Sequence, residues 1–386
     1  LLFSCNLRKD KEDVGLPHTF TGKDGEIKLV VLDPGHFHAS LLQKFPQRLV
    51  NDTVYVYAPE GDELDQYLSS IESYNQRVDN PTNWFIELYS GEDYLEKMIA
   101  EKNGNVVILA GNNGKKTRYI HQAINAGFNV LSDKPMVINK ANFDLLSITY
   151  EDALEHDLQL YDVMTERYEI LNTLTRELVN NRELFGEVEV GTVEEPAVEM
   201  ESVHHFFKEV SGSTLVRPAW FYDVEQQGEA IVDVSTHLVD LINWQCFPDE
   251  AIDYEQDIAM TSASHWPTVL TLDEFSRSTQ LNAFPDFLQE YVNDDSRLEV
   301  YGNGKIDYQV KGKNISITVL WNYEAPPGGG DTYNGRIRGT KASIEIVQDG
   351  SVEYVKELFI EKKPSTDLEG FENKLSEAVA KLQESY

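Results

Sequence analysis

Basic residues are scarce in this chain of 386. Lysine and arginine total 33 against 66 acids, a formal net charge of −33. Affinity for a phosphate backbone needs clustered cations, so the balance argues against nucleic-acid binding. It equally disfavours docking on anionic lipid. Cysteine is scarcer still. Cys5 and Cys246 are the only two, and Cys5 falls in an amino-terminal tail, so no structural disulfide is expected. No CxxC pair or zinc-type spacing exists. No apolar run reaches the roughly 20 residues that a membrane helix needs. What is present is a globular composition, 41% hydrophobic, with length enough for two domains. No internal repeat is visible.

The first residues, Leu1-Leu2-Phe3-Ser4-Cys5-Asn6, resemble the end of a bacterial lipoprotein signal. A polar tail to Gly25 follows, without apolar periodicity, and reads as a flexible tether. On that reading the protein is exported, a periplasmic or cell-surface lipoprotein of a Gram-negative bacterium, touching membrane only through a lipid on Cys5. A trimmed apolar start and a cytoplasmic protein are the alternative.

Further on, strands alternate with helices. Apolar runs Ile27–Leu32, Val54–Tyr57, Phe85–Tyr89, Val106–Ala110 and Phe128–Leu131 read as strands, and Gln159–Met164 as another. Helical patterns lie between them at Ser40–Phe45, Asp62–Arg77, Glu92–Glu101, Thr117–Ala126 and Asn142–His156, with one more at Ile170–Asn181. Such alternation predicts an α/β domain with a doubly wound parallel sheet. After Gly186 the pattern changes to short alternating runs, among them Val188–Val193, Ile258–Ser262, Leu298–Tyr301, Ile315–Leu320 and Ser343–Val347. Turns are expected at Gly302-Asn303-Gly304 and Pro326–Gly330. These predict a carboxy-terminal α+β domain with an open-faced, mainly antiparallel sheet. An amphipathic helix is expected at Phe371–Gln383.

Three constellations carry chemistry. In Ser132-Asp133-Lys134-Pro135, proline fixes its own backbone and pushes the preceding residue to extended geometry. Lys134 is thereby held at the carboxyl end of a strand, where open α/β sheets bind ligands; a solvated lysine before a turn is the bland alternative. The second is the first strand's exit, Asp33-Pro34-Gly35-His36-Phe37-His38. A nucleotide turn uses three glycines so that backbone can approach pyrophosphate. Here Asp33 stands at the first, Gly35 matches the second and His38 replaces the third. His36 and His38 serve as phosphate donors, as extra acid/base groups or as bonded structural histidines. Glu60, after the second strand, is placed to bond a ribose hydroxyl, or is an ordinary loop acid. The third constellation is Asp233, His237 and Asp240, which share one face if the segment is helical. A His–carboxylate pair can relay a proton, or the groups can merely bond each other. No metal site is expected, because no third ligand has a persuasive spacing.

Together these motifs resemble the glucose–fructose oxidoreductase, inositol dehydrogenase and MocA family, over roughly residues 26 to 350. Asp133-Lys134-Pro135 is similar to its Glu-Lys-Pro motif, and Asp233 to His237 to its Asp-x-x-x-His motif. Val107 to Asn113 resembles the strand and loop that touch the nicotinamide ribose, which adds Asn112. Gly339-Thr340-Lys341-Ala342 resembles the late Gly-Thr-x-Gly turn. The degraded glycine turn departs from the family. The resemblance implies a leader and tether at 1–25, a dinucleotide-binding Rossmann domain at 26–165, and a substrate-binding and oligomerisation domain at 166–386. It implies NAD or NADP, with NAD favoured, held by Pro34, Gly35, His36, Phe37, His38, Glu60, Asn112 and Lys134. It implies Lys134, His237 and Asp233 as catalytic groups, and a homo-oligomer.

The implied activity is hydride transfer from a sugar, glycoside or polyol hydroxyl. An exported enzyme would keep its cofactor tightly bound and regenerate it within the cycle. That opens a second reading, a glycoside hydrolase or lyase working through a transient keto sugar. A third is a non-catalytic carbohydrate-binding lipoprotein.

Overall fold

The computed structural model describes residues 20–210 and 213–385. The lipoprotein-like leader, Cys5 and most of the tether lie outside the described residues. The chain divides into two compact units. One ends at Val163 and takes in Glu225–Gly228; the other comprises Met164–Val224 and the chain from Glu229 onward.

The first unit is a Rossmann sheet. Its elements in order are β1 Leu29–Leu32, α1 His38–Leu41, β2 Thr53–Ala58, α2 Asp62–Gln76, β3 Phe85–Ser90 and α3 Tyr94–Glu101. They continue with β4 Val106–Leu109, α4 Asn113–Asn125, β5 Asn129–Asp133, α5 Lys140–Glu155 and β6 Leu160–Val163. The six strands are parallel, in the order β3-β2-β1-β4-β5-β6. The order reverses between β1 and β4, the switch point at which such sheets bind ligands. β1 is apolar throughout because both sheet faces are covered: Leu29 and Val31 join one core, Val30 and Leu32 the other.

The expected helix Ser40–Phe45 is corrected. α1 has only four residues. The carbonyl of Gln43 accepts the indole Nε1–H of Trp84 at 2.6 Å, and Phe45 precedes Pro46, which disfavours helix there. At α4 the structure extends the pattern instead. The Asn112 side chain accepts the Gly114 amide as an N-cap, so the helix starts at Asn113, before the expected Thr117.

The second unit opens with α6 Ile170–Val179. β7 is Val198–Phe207, and β8 Glu209–Val210 pairs with β9 Ser213–Thr214. Three helices follow: α7 Val224–Gln227, of which Glu225 to Gln227 count with the first unit, then α8 Ala230–Asp233 and α9 Ser235–Cys246. Next come β10 Ile258–Leu270, α10 Leu272–Thr279, β11 Leu298–Val310, β12 Lys313–Glu324, β13 Thr332–Arg338, β14 Ala342–Gln348, β15 Glu357–Lys362 and α11 Leu368–Ser385. Seven strands form one sheet, β10-β11-β12-β7-β13-β14-β15, antiparallel except where β12 meets β7. Helices α6 and α9 pack on its core through Leu178, Val179, Leu238, Leu241 and Ile242.

Two expectations fail in this unit. Gly302-Asn303-Gly304 is no turn; it lies inside β11. A Cβ at Gly302 would stand 2.9 Å from that of Trp321, so glycine there answers close packing. Val188–Val193 is no strand. It pairs through the isolated bridges Val188–Gly339 and Gly191–Pro196. Gly191 is left-handed at φ 66°, which interrupts extended backbone.

Candidate active site

Lys134 follows the last residue of β5 and is buried. Its peptide bond to Pro135 is cis. Helix α4 fixes this strand end. Lys116, itself buried, donates Nζ–H to Asn113 Oδ1 at 2.7 Å, to the Asp133 carbonyl at 3.1 Å and to the Lys134 carbonyl at 3.4 Å. Thr117 Oγ1 donates to the Met136 carbonyl at 2.6 Å. Backbone on both sides of Lys134 is thus set by side chains from one helix.

The β1 exit meets β5 here. Asp133, with its side chain 5% exposed, faces both histidines of the first loop. His38 Nδ1 donates to Oδ1 at 2.8 Å, since an ionised carboxylate can only accept. His36 Nδ1 lies 3.0 Å from Oδ2 yet off the hydrogen-bonding direction, so this enclosed nitrogen touches charge without a hydrogen bond. Burial pushes the Asp133 carboxyl upward. The Lys116 ammonium and the two imidazoles outweigh it and hold Asp133 well below the usual carboxylate range. Burial also lowers His36, against the opposing pull of Asp133, and so favours its neutral ring.

The rest of the first loop departs from a three-glycine turn. Asp33 has φ 46°, the left-handed conformation for which glycine is the usual choice and aspartate the tolerated substitute. Its carboxylate accepts from Tyr119 Oη at 2.8 Å, Lys115 Nζ at 3.0 Å and Tyr94 Oη at 3.3 Å. The amides of Gly35 and His36 donate to the Ala110 carbonyl at 3.0 and 3.1 Å. Gly111 permits this closeness, because a Cβ there would stand 2.5 Å from the Asp33 carbonyl. Pro34 is buried, and Phe37 is 65% exposed.

A dinucleotide is the group that this fold implies. The switch point and the exposed Glu60 beyond β2 fit it. With two loop amides already used, contacts to pyrophosphate pass to side chains, and Lys115 is the cation at hand. Asn112 caps α4 and also donates Nδ2–H to Gln226 Oε1 at 2.9 Å, so both ends of its amide are engaged.

In the second unit Asp233 ends α8 and is buried, while His237 lies in the first turn of α9. The condition for a shared face, one helix through both residues, is not met. A turn at Val234 separates the two pieces, where Ser235 Oγ and Thr236 Oγ1 bond back to the carbonyls of Ile231 and Val232. Back-bonding hydroxyls of this kind bend helices. Asp240 leaves the expected group: Arg167 holds both its oxygens, Nε at 2.7 Å from Oδ2 and Nη2 on Oδ1.

Two features were missed. Asp331 gathers His205 Nδ1 at 3.0 Å, His204 Nδ1 at 3.4 Å and Lys208 Nζ at 2.6 Å. Arg217 is buried under Phe221 and Trp321, with its guanidinium on the carbonyls of Phe206 and His205. The adjacent His204-His205 was the available signal for the first; nothing marked Arg217.

A Rossmann sheet with a lysine at its β5 end, followed by an open mixed sheet, defines an oxidoreductase class. The family model described as "Putative oxidoreductase C terminal domain" matches residues 174–386. A crystal structure of a "putative oxidoreductase" from Parabacteroides merdae is 49% identical, with 95% of this chain and 84% of that one covered, at TM-score 0.91. The chain belongs to the glucose–fructose oxidoreductase, inositol dehydrogenase and MocA family and is an oxidoreductase. The fold recurs in an oxidoreductase structure from Thermotoga maritima, 15% identical, with 92% and 90% covered, at TM-score 0.56. It recurs in the WlbA dehydrogenase from Bordetella pertussis, solved with NADH and UDP-GlcNAcA, 15% identical, with 93% and 84% covered, at TM-score 0.52. No curated protein sequence matches the chain.

Proposed function

We propose that this oxidoreductase uses NAD to oxidise a secondary hydroxyl of a sugar, glycoside or polyol. The observation that carries the proposal is Lys134, buried at the end of β5 beside the switch point and fixed by α4. The residues at the carboxyl ends of β1, β4 and β5 would hold NAD, which would supply a hydride acceptor there. Glu60 favours NAD over NADP, because its carboxylate suits a ribose hydroxyl and repels a 2′-phosphate. Lys115 takes the pyrophosphate. Lys134 positions the reacting oxygen and stabilises negative charge on it. On the second unit His237 is the acid/base candidate, with Asp233 to orient the histidine or bind a hydroxyl. The NADH and sugar-nucleotide complex of the WlbA dehydrogenase supports this substrate class.

The test has two parts. Purified full-length protein is denatured, and the supernatant is analysed for dinucleotide by mass spectrometry; NAD+ is then titrated into the native protein. Expected is NAD, retained or rebound. Turnover is followed with a panel of glycosides and polyols, watching both reduced nicotinamide and released aglycone. Lys134→Ala should lower kcat by roughly a hundred- to a thousandfold with the fold intact. Retained turnover would sink the assignment. Aglycone release without net reduction would move the reaction to the keto-sugar route.

A further inference from the structure

We propose that His36, His38 and Asp133 form a binding site for a transition-metal ion of the zinc class. Among the described residues, this is the one cluster in which three such side chains bring a donor atom each within 4.8 Å of one another. The donors come from the exit of β1, at the switch point, and from the end of β5, one strand beyond β4. Tetrahedral coordination at bonds of about 2.0–2.1 Å places neighbouring donors about 3.3 Å apart. The present Nδ1-to-oxygen separations are 2.8 and 3.0 Å. Admitting an ion therefore needs an opening of a few tenths of an ångström.

Two observations favour a ligand over a purely hydrogen-bonded trio. His36 Nδ1 is enclosed, lies beside a carboxylate, and makes no hydrogen bond. A structural histidine would turn that N–H onto the oxygen. The rings of His36 and His38 also meet edge to face, with centroids 4.2 Å apart, and both Nδ1 atoms lie within 3.0 Å of one carboxylate. Each neutral imidazole can move its proton from Nδ1 to Nε2 and present a lone pair at Nδ1, with no net proton change.

The local charge selects the ion. The Lys116 ammonium stands 3.1 Å from the Asp133 carbonyl. A hard cation held by charge alone, such as Mg2+ or Ca2+, is disfavoured beside it. Zn2+, Co2+ and Ni2+ gain from two imidazoles and tolerate the neighbour. Two histidines and one carboxylate leave a coordination position for an oxygen donor, as catalytic sites of this ion class do. The inference stands apart from the nicotinamide reading, and the dinucleotide content of the same samples scores that reading separately.

The experiment uses the full chain, stripped with a chelator and titrated with Zn2+ by calorimetry, with bound metal counted by mass spectrometry after gel filtration. Co2+ serves as the coloured probe. Expected are one Zn2+ per chain, visible Co2+ bands of the intensity that low coordination gives, and no response to Mg2+. His36→Ala and His38→Ala should each weaken Zn2+ binding by at least about 100-fold, beyond the 10–100-fold typical of outer-shell changes. His36→Gln and His38→Gln stand in if an alanine variant fails to fold by circular dichroism. No stoichiometric uptake by the wild type would overturn the proposal, as would uptake unchanged in both histidine variants.

Discussion

Each unit of the molecule carries two histidines on one aspartate, and the two clusters differ in what else the aspartate holds. Asp331 has a direct ammonium partner, Lys208 at 2.6 Å, and is 30% exposed. Asp133 is 5% exposed. Its nearest ammonium, Lys116, is committed to carbonyl and amide oxygens. A carboxylate closed by lysine is a finished ion pair. One faced by two imidazoles, with the neighbouring Lys116 ammonium bonded to carbonyl and amide oxygens, keeps its chemistry, because imidazoles can tautomerise, donate or ligate. The first cluster also lies at a strand-end switch point, whereas His204 and His205 sit within β7. Composition alone does not separate a functional cluster from a structural one; the third partner and the place in the sheet do.

The largest expected effect breaks the first cluster. Asp133→Asn leaves the Lys116 ammonium and two imidazoles without their buried anion. Removing one partner of a buried charge set costs about 3–5 kcal/mol, to be read from urea unfolding at neutral pH. The effect has a signed pH dependence. The folded carboxyl is depressed, so its contribution is complete above the unfolded value of about 3.9 and fades as pH falls through the lower folded value. The gap between wild type and Asp133→Asn should therefore shrink below about pH 4. A gap that persists there would show that packing, not charge, holds the cluster.

The parallel sheet was legible because its strands are buried on both faces, and Val30-Val31-Leu32 and Val106–Leu109 announce that without alternation. Lys134 was legible because the proline after it is a local signal. His36 and His38 were noticed, but their partner lies 95 residues beyond His38, and no local pattern encodes such a contact. Asp133 looked like a mild replacement in a motif; its burial makes it the centre of the cluster. Asp240 misled for the opposite reason. Helical spacing put it with His237, but spacing is blind to Arg167, 73 residues away. Gly302-Asn303-Gly304 misled because glycine that relieves a packing clash looks the same in sequence as glycine that turns.

A smaller effect is expected from Asp331→Asn. The carboxylate loses charge-assisted bonds to Lys208 and His205, and burial opposes its depressed pKa, which His204 and Lys208 sustain. Bonds to charged groups are worth about 1.5–3 kcal/mol each where buried, and partial exposure reduces this to about 1–2 kcal/mol for the site. Urea unfolding of the two asparagine variants side by side should rank Asp133 above Asp331. The reverse order would undo the contrast drawn from their exposure.

The smallest effect is the sharpest. Lys208→Met removes the ammonium that closes the second cluster and retains an apolar stem. Partly exposed ion pairs contribute about 1 kcal/mol or less, so stability should barely move. Asp331 would then keep its two imidazoles without a directly bonded ammonium. If the missing lysine is what leaves the first cluster able to ligate, Lys208→Met should take up Zn2+ beyond the wild-type stoichiometry, measured by metal analysis after gel filtration. If uptake is unchanged, the third partner is not the deciding difference. The distinction then rests on the loops of the switch point, which are free to set donor geometry in a way that neighbouring residues of one strand are not.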